Sequence, residues 1–157
     1  MVLPLIAGAV ALHLPDALDP ANRGLLPPPA LALGFGVAAV VGYAALALLV
    51  RLFSLGVKPG RHPAASLVTL CWILAGGIAT WAWRLMLPFV PMTFVSQMYY
   101  RLAGCRLGRD VYINTLEVND PYLVSIGDNS VIGGGAVIVP HVFEAGRLIL
   151  APVTIGK

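Results

Sequence analysis

The sequence predicts an α + β chain: hydrophobic membrane helices over residues 1–100, followed over residues 101–157 by a short, incomplete left-handed parallel β-helix of hexapeptide repeats. Three observations predict it. Hydrophobic residues make up 59% of the 157 and charged residues only 11%, where a soluble domain carries about 25% charged. Ala30 to Val50 contains no charge at all. Near the C-terminus a six-residue beat runs Ile126-Gly127-Asp128-Asn129-Ser130-Val131, Ile132-Gly133-Gly134-Gly135-Ala136-Val137, Ile138-Val139-Pro140-His141-Val142-Phe143. An aliphatic residue opens each block and small residues follow, the pattern of a coil with one short strand and one turn per block.

Taken in order, Met1 to Leu14 is apolar but short for a span and holds Pro4. No basic residue precedes its apolar run, so it does not read as a secretory signal, and half a membrane helix is the expectation. Pro27-Pro28-Pro29 precedes Ala30 and Arg51 closes the run, which gives 30–50 the length and flanks of a transmembrane helix. Leu67 to Phe94 is apolar apart from Arg84, and carries Trp72, Trp81 and Trp83 with prolines at 88 and 91. It suits an interfacial helix or a second span; the interfacial reading spares Arg84 a cost of about 2.5–3.5 kcal/mol at the bilayer centre. Between the two long segments lie Arg51, Lys58, Arg61 and His62, against Asp16, Asp19 and Arg23 before the first. The positive-inside rule then places the basic loop in the cytoplasm, with the β-helix beside it at the inner face of the cell membrane. The net charge of +3 mostly reflects that loop and points to anionic lipid. Nucleic acid would call for a basic stripe interleaved with stacking aromatics, which is missing.

The beat starts with Leu107-Gly108-Arg109-Asp110-Val111-Tyr112 and Ile113-Asn114, and the spacing from Ile113 to Ile126 requires a small loop near Asn119-Asp120-Pro121. Ile126, Ile132 and Ile138 are expected to point into one core from successive sides of a coil. Glu144-Ala145-Gly146-Arg147 interrupts the pattern, Leu148 to Val153 is expected to resume it, and Ile155-Gly156-Lys157 opens another block. So short a stack lies at the lower limit for repeat proteins, and the chain is expected to be a slice of a longer one.

His141 is the candidate catalytic base, because imidazole titrates nearest neutral pH, and Glu144 is the candidate to orient it. Asn114, Asn119 and Asp120 are candidate substrate-binding groups, although the same residue types also cap turns. Gly133-Gly134-Gly135 lacks the lysine and following helix of a phosphate loop and instead suits a corner that needs positive φ. Arg101, Arg106 and Arg109 stand at the junction of the two parts, suited to lipid headgroups or a phosphorylated donor. Cys71 and Cys105 read as packed thiols, and His13, His62 and His141 form no metal-ligand spacing, so no metal is expected.

Several runs together carry a resemblance: Val57-Lys58-Pro59-Gly60-Arg61-His62-Pro63; Tyr100-Arg101-Leu102-Ala103-Gly104-Cys105-Arg106-Leu107-Gly108-Arg109-Asp110-Val111-Tyr112; Leu123-Val124-Ser125-Ile126-Gly127-Asp128; His141-Val142-Phe143-Glu144; and Ala151-Pro152-Val153-Thr154-Ile155-Gly156. From Arg51 to Lys157 the chain resembles the membrane-associated C-terminal half of epsilon-poly-lysine-synthetase-type nonribosomal peptide synthetases, whose tandem units are related to hexapeptide-repeat acyltransferases. The resemblance implies a membrane-associated transferase of acyl or aminoacyl groups to an amine or hydroxyl, with His141 matching the family's histidine before a hydrophobic residue, Phe and Glu. The chain lacks the family's adenylation and carrier domains. The implied donor is therefore a phosphopantetheine-linked or CoA-linked acyl group supplied in trans, and homotrimers or tandem β-helix units would complete the sites. Two other readings stay open: an acetyl-CoA-dependent O- or N-acetyltransferase, and a non-catalytic membrane scaffold.

Overall fold

A computed structural model describes residues 28–85 and 92–156. The expectation for Met1 to Leu14 lies outside the described residues. The chain divides into two compact units, Met1–Gly42 and Tyr43–Lys157. Of the first, the structure describes the opening part of helix α1 (Pro28–Ser54), where Leu33, Phe35, Val37 and Val41 are exposed. Pro28 stands at the helix start, where its missing N–H breaks no intrahelical bond, and the Ala/Leu-rich run behind it has high helix propensity.

In the second unit, α1 ends where Ser54 Oγ donates to the Arg51 carbonyl at 2.7 Å. Strand β1 (Gly60–Pro63) follows, then helix α2 (Leu67–Leu85). Ser66 caps α2, its Oγ accepting from the Thr69 N–H at 3.2 Å, while Thr69 Oγ1 donates to the Pro63 carbonyl at 2.9 Å. Among the described residues, the apolar run read as one segment over 67–94 thus holds α2 and the first residue of a further helix, α3 (Phe94–Leu102). Small residues on α2, Ala75, Ala79 and Ala82, are buried in one core with Tyr43, Ala47 and Val50 of α1 and Tyr99 and Tyr100 of α3. Leu67, Leu70, Ile73, Leu74 and Trp81 of α2 and Leu48, Leu49 and Leu52 of α1 are exposed. Among the described residues, two helices, Leu33–Ser54 and Leu67–Arg84, are long and apolar enough to cross a membrane.

The rest of the unit is built from short strands. β2 (Arg106–Leu107), β3 (Tyr112–Ile113) and β4 (Glu117–Val118) are followed by a 3₁₀ turn at Pro121–Leu123, then β5 (Val124–Ile126), β6 (Val131–Ile132) and β7 (Val137–Ile138). All their pairings are parallel: Leu107 faces Ile126, Ile113 faces Ile132 and Val118 faces Ile138. These six aliphatics are buried in one cluster, so Ile126, Ile132 and Ile138 do point into one core. At the corners, the Gly108, Asn114 and Asn119 N–H groups each donate to the carbonyl of the residue stacked against their neighbour, at 2.9 Å. Of the three corner glycines, Gly135 has the positive φ, at 76°.

The stretch after β7 differs from the expectation that the six-residue pattern resumes at Leu148. Strand β8 (His141–Glu144) turns at Ala145-Gly146 and returns as β9 (Arg147–Leu150), antiparallel to β8 on one side and to β1 on the other. Both turn residues have positive φ, 48° and 72°, the signature of a two-residue type I′ hairpin. Parallel stacking returns only at β10 (Val153–Ile155), which pairs with β5. Among the described residues the sheets are open, in the orders β1-β9-β8, β10-β5-β2, β3-β6 and β4-β7. Helices followed by strands is therefore the observed order, with β1 as a strand inside the helical part.

Candidate functional site

His141 opens β8, with its side chain 26% exposed. Its partner is Asp120: Nδ1 lies 2.5 Å from Asp120 Oδ2, and the Asp120 side chain is only 3% exposed. A carboxylate accepts, so Nδ1 carries the proton and the Nε2 lone pair is left for chemistry. Asp120 sits in the left-handed region, φ 45° and ψ 58°, immediately ahead of the Pro121–Leu123 turn. Asp is among the residue types that tolerate this conformation, and Pro121 fixes the next φ. The loop expected near Asn119-Asp120-Pro121 thus carries the carboxylate to the imidazole.

Two further donors hold that carboxylate. Trp72 Nε1–H donates to Asp120 Oδ1 at 3.0 Å and the Tyr122 hydroxyl donates to the same oxygen at 3.1 Å. Burial, with the neighbouring Asp120 charge and the hydrogen bond to it, pushes the Tyr122 phenol well above its ordinary value, so it remains a donor throughout the neutral range. The Trp72 ring also meets the imidazole edge-on, with centroids 4.9 Å apart. Three donors on two oxygens compensate the desolvation of a buried carboxylate and fix one imidazole orientation.

The dyad lines an open-sided cavity of about 300 Å³, walled on the α2 side by Trp72, Ile73, Gly76, Gly77, Ala79, Thr80 and Trp83 and lined also by Asn119. Asn119 is tied to the stack below through its N–H, 2.9 Å from the Ile138 carbonyl, and its Nδ2, 3.4 Å from the same oxygen. Of the residues singled out from sequence, His141, Asp120 and Asn119 are therefore brought together. Asn114 is exposed, beside Gly134. Glu144 is exposed too and faces Arg147 across the hairpin; three residues from His141 on one strand, it projects from the opposite face of the pleat. The orienting carboxylate is supplied by Asp120.

Sequence reasoning passes over Trp72 and Tyr122. Trp72 stands in a segment whose aromatics suit a membrane interface, and only the docking of α2 against the 3₁₀ turn reveals its polar edge as a donor to Asp120. Two of the arginines at the junction have structural partners: Arg101 donates to the Leu107 and Gly108 carbonyls at 2.9 Å each, and Arg109 pairs with Asp128 at 3.7 Å. Cys105 is buried, and burial pushes its thiol up to about 12 against the opposing charge of Arg101, so it is a poor nucleophile at neutral pH. Among the described residues, no three His, Cys, Asp or Glu side chains cluster in a way that could hold a metal ion.

Compared with known proteins, the chain is 28% identical over 108 residues to the delta-poly-L-ornithine synthetase of Acinetobacter baumannii, a match covering 66% of this chain and 8% of that protein. The chain therefore spans less than a tenth of the length of the curated relative it matches. No family model matches, and no solved structure does. The similarity is to an enzyme that makes a poly-amino-acid, compatible with an amino-acid-transferring or ligating role.

Proposed function

We propose that this chain is the membrane-anchored transferase part of a poly-amino-acid-forming synthetase, joining an activated acyl or aminoacyl group to an amine. The observation that carries the reading is the Asp120–His141 pair, 2.5 Å apart, at the wall of a cavity. In the proposed reaction His141 Nε2 takes the proton from the attacking amine as the C–N bond forms at the thioester carbonyl. The C–S bond then breaks and the imidazolium returns the proton to the departing thiolate. Asp120 stabilises the imidazolium and holds the tautomer, as the acid of a catalytic triad does, without itself taking the proton.

The donor is proposed to be a carrier-borne phosphopantetheine thioester, or a CoA thioester, brought by another domain or chain. The three parallel ladders with their common aliphatic core support a short left-handed β-helix, which further tandem units or copies of the chain would extend. The two exposed, apolar helices support anchorage in the cell membrane. Arg51 in the last turn of α1, with Lys58 and Arg61 between the two helices, supports a cytoplasmic site, where activated donors are made.

The test is amide formation by the intact synthetase in membranes, followed by mass spectrometry of the product. His141→Ala is expected to lower the rate at least about 10²-fold, the usual contribution of a positioned general base. Undiminished product formation would sink the reading. Labelling from free acetyl-CoA rather than from a carrier thioester would turn it into a simple acetyltransferase.

A further inference from the structure

Gly76 and Gly77 lie in the middle of α2, where glycine lowers helix stability relative to alanine. Nothing in the packing requires them: a Cβ at either position would have no neighbour within 4 Å. Neither has the positive φ that would demand glycine. What they have in common is their place on the cavity that holds His141 and Asp120. Their missing side chains leave helix backbone as part of that wall, on the helix that also supplies the rings of Trp72 and Trp83. Thr80 Oγ1 donates to the Gly76 carbonyl at 2.8 Å, so even the hydroxyl there is turned back onto the helix. The wall offers width and no charge.

We infer that Gly76 and Gly77 are the residues that admit the donor, passing the slender, unbranched end of a pantetheine arm along α2 so that its thioester reaches His141. The β-alanyl stretch of that arm, which N-acetylcysteamine lacks, fills the space that the two absent side chains leave, and a leucine in either place would occupy it. The inference rests on the transferase reading above and adds to it the residues that select the donor.

The experiment uses the intact synthetase with two donors of the same acyl group, one on the full pantetheine arm and one on N-acetylcysteamine. Gly76→Leu is expected to lower kcat/KM for the full arm at least about tenfold more than for the truncated thioester, the size of effect an added apolar side chain exerts in a pocket. Equal losses with both donors, or no loss, would overturn the inference. Binding separates its failure from that of the transferase reading: quenching of tryptophan fluorescence by pantetheine alone is expected in the wild type and in His141→Ala, and is expected to be lost in Gly76→Leu. If pantetheine binds this way but His141→Ala retains full transfer activity, the base assignment falls and the arm path stands. If pantetheine does not bind the wild type, the arm path falls. Gly76→Ala is the control for folding, expected to melt at or above the wild-type temperature.

Discussion

Asp120 accepts from Trp72 and Tyr122 through one carboxylate oxygen and from His141 through the other. Removing any donor leaves a buried acceptor less satisfied, which costs about 1–3 kcal/mol when a group is left unpaired, and it loosens the imidazole. Asp120→Asn keeps the shape but can present its amide to Nδ1, which favours the wrong tautomer. It is expected to reduce turnover by more than about tenfold with little change in KM, because the ring's proton-accepting role is exercised in the transition state. Trp72→Phe and Tyr122→Phe each keep an aromatic ring and delete one hydrogen bond. Each is expected to give a smaller drop in turnover, and the two are expected to be non-additive in a double-mutant cycle because they share one oxygen. Additive effects would show that the two donors act independently. His141 is legible in the sequence because imidazole is scarce and chemically distinctive. Its partner is not, since the carboxylate that follows it on the same strand, Glu144, is turned away by the pleat of β8.

Among the elements, the alternation of the short strands is the most open to test. Ile126 is 2% exposed and inward, whereas Val131 is 66% exposed on the next strand. Ile126→Ala is expected to destabilise the fold by about 2–5 kcal/mol and Val131→Ala by no more than about 0.5 kcal/mol, read as shifts in thermal unfolding in detergent. Comparable losses would mean that the register is wrong. The β8–β9 hairpin is the element that local pattern misjudges. Its aliphatics, Leu148 and Leu150, look like another repeat block, but Ala145-Gly146 reverses the chain and β1, from far earlier in the sequence, supplies the third strand. That pairing buries Leu148 and Leu150 with Val57 and Leu123 in a second small core, with Val68 and Trp72 packed against it. The hairpin thereby starts with His141 beside Trp72 of α2.

For the whole molecule, apolar side chains cover much of the outward surface of two helices, while buried groups shape the pH response of the second unit. The Cys105 thiol is raised from 9.0 to about 12 by burial, and the phenols of Tyr99, Tyr100 and Tyr122 are raised by burial as well. In each case the folded state keeps a proton that the unfolded chain releases, so the stability that Cys105 contributes is fully present below pH 9 and falls as pH rises from 9 to about 12. Each such group contributes a slope of about 1.4 kcal/mol per pH unit. Thermal unfolding in detergent is expected to show a falling midpoint across that window, and Cys105→Ala is expected to flatten its lower part. A midpoint independent of pH throughout the window would contradict the burial of these groups.

Composition and period determined much by themselves: the charge-free run around α1, the aliphatic beat whose members Ile126, Ile132 and Ile138 all turn inward, and the histidine that lines the cavity. These are legible because hydrophobic burial repeats with the local geometry of the backbone, so neighbours in sequence report it. The tertiary structure alone decided the rest: Asp120 rather than Glu144 beside His141, Trp72 as a hydrogen-bond donor, β1 joined to β9, and Gly76-Gly77 as a cavity wall. Each of these is a meeting of residues far apart in the chain or a separation across opposite faces of one strand. Such meetings are fixed by which elements pack together, and no spacing along the sequence records them.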